Sequence, residues 1–88
     1  MPYSIRYTDR FKKAYKKLSK AEKETFVNKL RIFVNDPMYP SLRTKKIQGT
    51  NGLFEWSVNM DIRVIWYYEG ECLVVLLDIG HHGVLNKY

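Results

Sequence analysis

Eighty-eight residues carrying 15 Lys+Arg against 9 Asp+Glu, a formal charge of +6, leave room for one domain spanning 1–88, because so short a chain buries only roughly 60–65% of its unfolded surface in a single core. An apolar content of 45%, with 15% aromatic, is that of a folded chain and excludes disorder. No run approaches the ~18 apolar residues of a membrane span, and the N-terminus lacks the apolar centre of a secretory signal, so a cytoplasmic protein with no membrane partner is expected.

The charge is unevenly spread. Residues 1–46 hold 13 basic and 4 acidic residues, net +9, while residues 47–88 hold 2 basic and 5 acidic, net −3. Such asymmetry points to a polyanionic partner.

In chain order, Tyr3, Ile5 and Tyr7 alternate with Ser4, Arg6 and Thr8, the period of a half-buried strand. Thr8 or Asp9 then caps a first helix, about residues 9–18. Its apolar stripe is Phe11, Ala14, Tyr15 and Leu18, with Lys12, Lys13, Lys16 and Lys17 on the other face. Ser19 with Glu22 is a capping box that restarts the helix. The second helix runs from about Lys20 to Val34 and buries Phe26, Val27, Leu30, Phe33 and Val34. Asn35-Asp36-Pro37 ends it, because the residue before proline is pushed out of the α region. So tight a connection implies an antiparallel helical hairpin.

Met38 to Arg43 forms an irregular connection, after which the period changes to two. Phe54, Trp56 and Val58 alternate with Glu55 and Ser57, and Ile62, Val64, Trp66 and Tyr68 alternate with Arg63, Ile65 and Tyr67. Residues 73–77 are apolar on both faces, as in a central strand. Asn59-Met60-Asp61 and Glu69-Gly70 are hairpin turns. The expected architecture is α+β: an N-terminal strand, a helical hairpin, then a three- to four-stranded antiparallel meander with helices on one face and a groove on the other.

No phosphate loop, paired-carboxylate motif or Ser-His-Asp order is present. Cys72 has no partner for a disulfide and reads as a small buried strand residue. With only His81 and His82 beside it there is no zinc spacing, so no metal or cofactor is expected. What remains is polar groups at strand ends: Lys45 and Lys46 before the meander, Asp61 and Arg63 astride the start of one strand, and His81, His82 and Tyr88 after the last. Antiparallel neighbours run head to tail, which brings Arg63 and the histidines towards one site. Arg63 either pairs with Glu55 across the ladder or binds a phosphate. Asp61 alone is an ordinary turn residue, and the lysine face of the first helix is either solvated or an interaction surface. These residues by themselves lead to a small basic α+β domain with a candidate anion site.

Lys46-Ile47-Gln48-Gly49, then Gly52-Leu53-Phe54-Glu55-Trp56-Ser57-Val58, Asp61-Ile62-Arg63-Val64-Ile65-Trp66-Tyr67, and Val75-Leu76-Leu77-Asp78-Ile79-Gly80-His81-His82 together resemble the RelE/ParE superfamily of bacterial and archaeal toxins, over nearly the whole chain. The sequence is most similar to the branch of RelE, YafQ and YoeB. That resemblance implies a microbial-ribonuclease-like fold and a ribosome-dependent endoribonuclease, an mRNA interferase that inhibits translation and is silenced by a cognate antitoxin. The implied reaction is attack of a 2′-hydroxyl on the adjacent phosphate.

By the same resemblance Arg63 matches the arginine that contacts the scissile phosphate, and His82 the histidine of proton transfer. Tyr88 matches the C-terminal tyrosine that stacks on a base, Asp61 a turn aspartate, and Lys45 and Lys46 a basic rim. Lys12, Lys13, Lys16 and Lys17 would contact ribosomal RNA. The chain departs from the pattern at Phe54 and Trp56, where RelE carries two strand lysines. It departs again at Ser57, where YafQ-like toxins carry a second histidine, at Gly83 for an acidic residue, and at Asn86 for an aromatic. The implied catalysis is accordingly slow or altered. The alternatives are a ParE-type toxin that inhibits DNA gyrase without cutting RNA, and a general RNA-binding module.

Overall fold

A computed structural model describes residues 2–88. Its elements are β1 (Ser4–Tyr7), α1 (Asp9–Lys16), α2 (Lys20–Asn35), a 3-10 helix at Pro40–Leu42, β2 (Lys45–Lys46), β3 (Phe54–Ser57), β4 (Ile62–Tyr68), β5 (Leu73–His81) and a C-terminal 3-10 helix at His82–Lys87. The five strands form one sheet in the order β1-β5-β4-β3-β2. The expected α+β architecture is present, with four strands in the antiparallel meander, because Lys45 and Lys46 pair with Glu55 and Phe54 as its first strand. β1 closes the sheet by pairing in parallel with β5, Ser4 opposite Leu73 and Tyr7 opposite Leu76.

Local chemistry sets the helix ends. The Thr8 hydroxyl accepts from the Phe11 N–H at 3.0 Å, capping α1. Ser19 accepts from Glu22 N–H while Glu22 accepts from Ser19 N–H, the reciprocal box that satisfies two orphan donors at the start of α2. α1 ends at Lys16 rather than residue 18, because the Lys17 and Leu18 N–H groups bond three residues back, to Ala14 and Tyr15, and tighten the chain into the turn before Ser19. Leu18 stays buried from within that turn.

The core lies between the hairpin and one face of the sheet. Phe26 stacks on Trp56 at 5.7 Å, and Phe33 meets Trp56 at 5.3 Å and the edge of Trp66 at 4.7 Å. Each such pair adds about 0.5–1.5 kcal/mol to the area it buries. Phe11 and Tyr15 both pack on Phe26, joining the two helices. Val27 does not join them: it is 39% exposed, turned to the outer side of the hairpin. Val34 and Leu30 are half-buried.

Two further expectations are corrected. Cys72 is exposed, because it lies in the turn between β4 and β5, one residue before the ladder begins at Leu73. The sheet face away from the helices is not an open groove along its whole length. The C-terminal 3-10 helix lies against β4 and β5, and Ile65, Val75 and Val84 are buried there. β5 is therefore covered on both faces, as its apolar run required.

A bulge shapes that face. Ile65 pairs with Asp78 while Trp66 pairs with Leu76, so Leu77 is an extra residue, and the strand bends there and re-aims its neighbouring side chains. Thr8 holds the bulge: its hydroxyl donates to the Leu77 carbonyl at 2.6 Å and its N–H to that of Leu76 at 3.2 Å. One side chain thus caps α1 and anchors β5.

Candidate anion-binding site

The turn between β3 and β4 is built by Asn59, whose Oδ1 accepts from the N–H groups of Asp61 at 2.9 Å and Ile62 at 2.8 Å. This Asx geometry presents backbone carbonyls inward. Arg63 fills the turn, its Nη1 donating to the carbonyls of Asn59 (2.8 Å), Met60 (3.0 Å) and Ile62 (3.3 Å). Its Nε lies 3.6 Å from Glu55 Oε1. The arginine is only 15% exposed; it has the carboxylate partner expected in one reading of the sequence, and it also lines a cleft.

The cleft, about 340 Å³, lies where the end of β3, the β3–β4 turn, α2 and the Pro40–Leu42 helix converge, with Lys29, Ser41, Arg43, Ser57 and Arg63 among its walls. Ser57 is opposite Arg63 in the ladder, so the two side chains share a face. Lys29 Nζ donates to the Ser41 carbonyl at 3.1 Å, which holds the ammonium at the cleft wall. Arg43 has φ 53°, the left-handed region that disfavours L side chains by roughly 1–2 kcal/mol. Buried Leu42 and the Thr44 hydroxyl on the Pro37 carbonyl hold the chain on either side of it. Three cations against Glu55 make the cleft electropositive, Lys29 and Arg43 from the basic half of the sequence joining Arg63 from the half that is acidic overall.

The register sets Ile62 opposite His81 and Arg63 opposite Gly80, so the histidines reach Arg63's end of the sheet as head-to-tail pairing predicts. They do not line its cleft. Sharing a ladder position with core residue Ile62, His81 turns to the helix side, where its Nε2 lies 3.9 Å from Glu22 Oε2. His82, the first residue of the C-terminal 3-10 helix, is exposed.

Tyr88 is held elsewhere. Its hydroxyl donates to Asp78 Oδ2 at 2.9 Å and accepts from Arg10 Nη1 at 3.1 Å. Burial holds that hydroxyl above its ordinary value of 10.0; Asp78 adds to the rise and Arg10 opposes it. Asp61 is exposed in the turn, Lys45 and Lys46 are exposed on the edge strand, and Lys12, Lys13, Lys16 and Lys17 are exposed along α1. Among the described residues none of these lysines makes a salt bridge. Phe54 and Trp56 point to the helices and pack in the core; the positions of β3 on Arg63's face are Glu55 and Ser57.

Lys29 and Arg43 were missed by sequence reasoning. Lys29 had a signal: it stands three residues after Phe26 and four before Phe33, a cation on the core-facing stripe of α2. Arg43 had none, since its place depends on a left-handed residue after an irregular turn.

No protein-family model and no curated protein sequence matches the chain. Solved structures do. A chain of the archaeal RelE–RelB complex from Pyrococcus horikoshii OT3 matches with a TM-score of 0.77 and 23% identity, covering 94% of this chain and 98% of that one. YafQ from E. coli strain BL21(DE3) matches with a TM-score of 0.77 and 18% identity over 94% and 97%. A YoeB/ParE toxin from Agrobacterium tumefaciens matches with a TM-score of 0.75 and 13% identity over 90% and 98%. The fold is that of the RelE- and YafQ-like toxins.

Proposed function

We propose that this chain is the toxin of a type II toxin–antitoxin pair and acts in the cytoplasm as a ribosome-dependent endoribonuclease. The observation that carries this reading is Arg63, set in an electropositive cleft at the sheet end to which β5 brings His82. In the reaction, the 2′-oxygen of a ribose bonds to the adjacent phosphorus and the bond to the 5′ oxygen breaks. The products are a 2′,3′-cyclic phosphate and a 5′-hydroxyl. The 2′-hydroxyl gives its proton to a base, an acid returns one to the 5′ oxygen, and a cation holds the charge gathering on the non-bridging oxygens. Arg63 supplies that cation through Nη2, which makes no hydrogen bond among the described residues. His82 serves proton transfer, imidazole being the side chain whose ordinary pKa lies nearest neutrality. The lysines of α1 anchor ribosomal RNA without reading sequence.

A protein partner is supported by the outer side of the helical hairpin, where Tyr7, Phe11, Tyr15, Val27 and Leu30 line an apolar groove bordered by Lys12 and Lys16. An antitoxin with an apolar stripe flanked by acids suits it. In a purified translation assay, Arg63→Ala is expected to abolish cleavage of ribosome-bound mRNA, and His82→Gln to lose cleavage while keeping ribosome binding. Parental cleavage by Arg63→Ala overturns the assignment, and inhibition of gyrase supercoiling without mRNA cleavage replaces it with the ParE-type reading. Growth arrest on expression, relieved by the neighbouring open reading frame, tests the antitoxin.

A further inference from the structure

Arg63 is mostly committed to its own turn: one guanidinium nitrogen serves three carbonyls and another faces Glu55. The rest of the cleft is less committed. The Arg43 side chain has no acidic partner among the described residues and stands on a backbone held in the left-handed region, the kind of strain that clusters where ligands are bound. Lys29 is fixed at the wall by one carbonyl, leaving two ammonium protons free. Ser57 is 9% exposed, lines the cleft, and its hydroxyl makes no hydrogen bond with any described residue. That hydroxyl is not among the buried polar atoms left without a partner, so it is open to the cleft and free to donate.

We infer that Lys29, Arg43 and Ser57 form a phosphodiester-binding subsite beside Arg63, which grips single-stranded RNA next to the bond to be cut. The inference rests on the RNA-cleaving reading and adds the residues that hold the substrate in place. A tetrahedral phosphate suits this set because its oxygens only accept, and guanidinium, ammonium and hydroxyl groups converge on it as donors. The cleft's volume falls at the lower end of the roughly 300–1,000 Å³ of ligand sites, enough for a phosphate and part of its nucleotide. Lys29 and Arg43 come from α2 and the Pro40–Leu42 turn, whereas Ser57 and Arg63 come from the sheet, so a bound strand crosses the junction of the two layers. Lys29, Arg43 and Ser57 are positioning residues, since the reacting atoms lie with Arg63.

The test uses the full chain and a short RNA with 2′-O-methyl riboses, which binds and is not cut. Fluorescence anisotropy measures affinity over a range of salt, and nuclear magnetic resonance shifts locate the contact. Arg43→Gly and Lys29→Gln are each expected to weaken binding about fivefold to tenfold and to lower the salt slope by about 0.7. Ser57→Ala is expected to weaken it about threefold with the slope unchanged. Arg43→Gly also relieves the left-handed backbone, so it resists urea at least as well as the parent, and its loss of binding is not a loss of folding. Lys20→Gln, the same charge change at the start of α2, leaves the cleft resonances responding as in the parent. Equal affinity of the three cleft variants and the parent overturns the subsite. So does a cleft whose resonances respond to a polyglutamate peptide and not to the RNA. Binding through the cleft without cleavage of ribosome-bound mRNA upholds the subsite and removes the nuclease reading.

Discussion

The hydroxyl of Tyr88 donates to Oδ2 of Asp78 at 2.9 Å, while the other carboxylate oxygen accepts from the Ile79 N–H. Asp78 is 2% exposed, and a buried carboxylate needs such donors. Arg10 on α1 completes the chain of bonds. Tyr88 is thereby tied to the strand it covers and to the first helix.

Tyr88→Phe keeps the ring and removes the hydroxyl, leaving one oxygen of Asp78 short of a donor. The expected loss is about 1–3 kcal/mol of unfolding free energy, read by urea denaturation, together with faster amide exchange in residues 82–87. Unchanged stability would mean that Val84 alone holds the C-terminal turn.

The same hydroxyl carries a pH dependence. Burial raises its pKa above 10.0 in the folded chain, so the folded state binds this proton more tightly than the unfolded one. Its contribution is constant below about pH 10 and falls as pH rises through the raised value. Tyr7 and Tyr68 are raised by burial as well, so the measurement is the difference between the parent and Tyr88→Phe across the alkaline limb. An identical limb in both proteins would remove Tyr88 from it.

Thr8→Val is nearly isosteric and removes two bonds at once, the cap accepted from Phe11 and the bond donated to Leu77. The cap contributes about 1 kcal/mol and the second bond about 1 kcal/mol more, so chemical denaturation should show a loss near 2 kcal/mol. Thr8→Ser should recover most of it. A loss confined to the cap would show that the bulge at Leu77 stands without Thr8.

How far the sequence carries depends on the range of the interactions concerned. The capping box of Ser19 and Glu22, the 62–68 strand and the turn at Asn59 were legible because each is decided within a few residues. The parallel pairing of Ser4 with Leu73 was not, since nothing local distinguishes a parallel edge from an antiparallel one. Val27 fits the helical stripe by spacing yet faces outward, because the core takes only as wide a stripe as Trp56 and Trp66 can cover. Cys72 begins an apolar run but precedes the ladder by one residue. Arg63 was legible as an anion residue, whereas its neighbours Lys29 and Arg43 depend on how α2 and an irregular turn dock on the sheet. Tyr88, Asp78 and Arg10 are joined by two contacts spanning 10 and 78 positions of the chain, beyond any periodicity.

Gly80 links this architecture to the proposed chemistry. It faces Arg63 across the ladder, and a Cβ placed on it would lie 3.2 Å from the Cβ of Val84, closer than packed carbons rest. Gly80→Ala therefore pushes the C-terminal turn, and His82 with it, away from β4 and β5. Overpacking of this kind destabilises by about 1–3 kcal/mol. Adding Val84→Gly removes the Cβ that is met, so the double variant should lose less than the two single losses together, with a coupling of at least about 0.5 kcal/mol. Cleavage of ribosome-bound mRNA should show the same pattern, falling in Gly80→Ala and recovering in part with Val84→Gly, because both substitutions act on where His82 sits. Additive stabilities with unaltered cleavage would separate the C-terminal turn from the site.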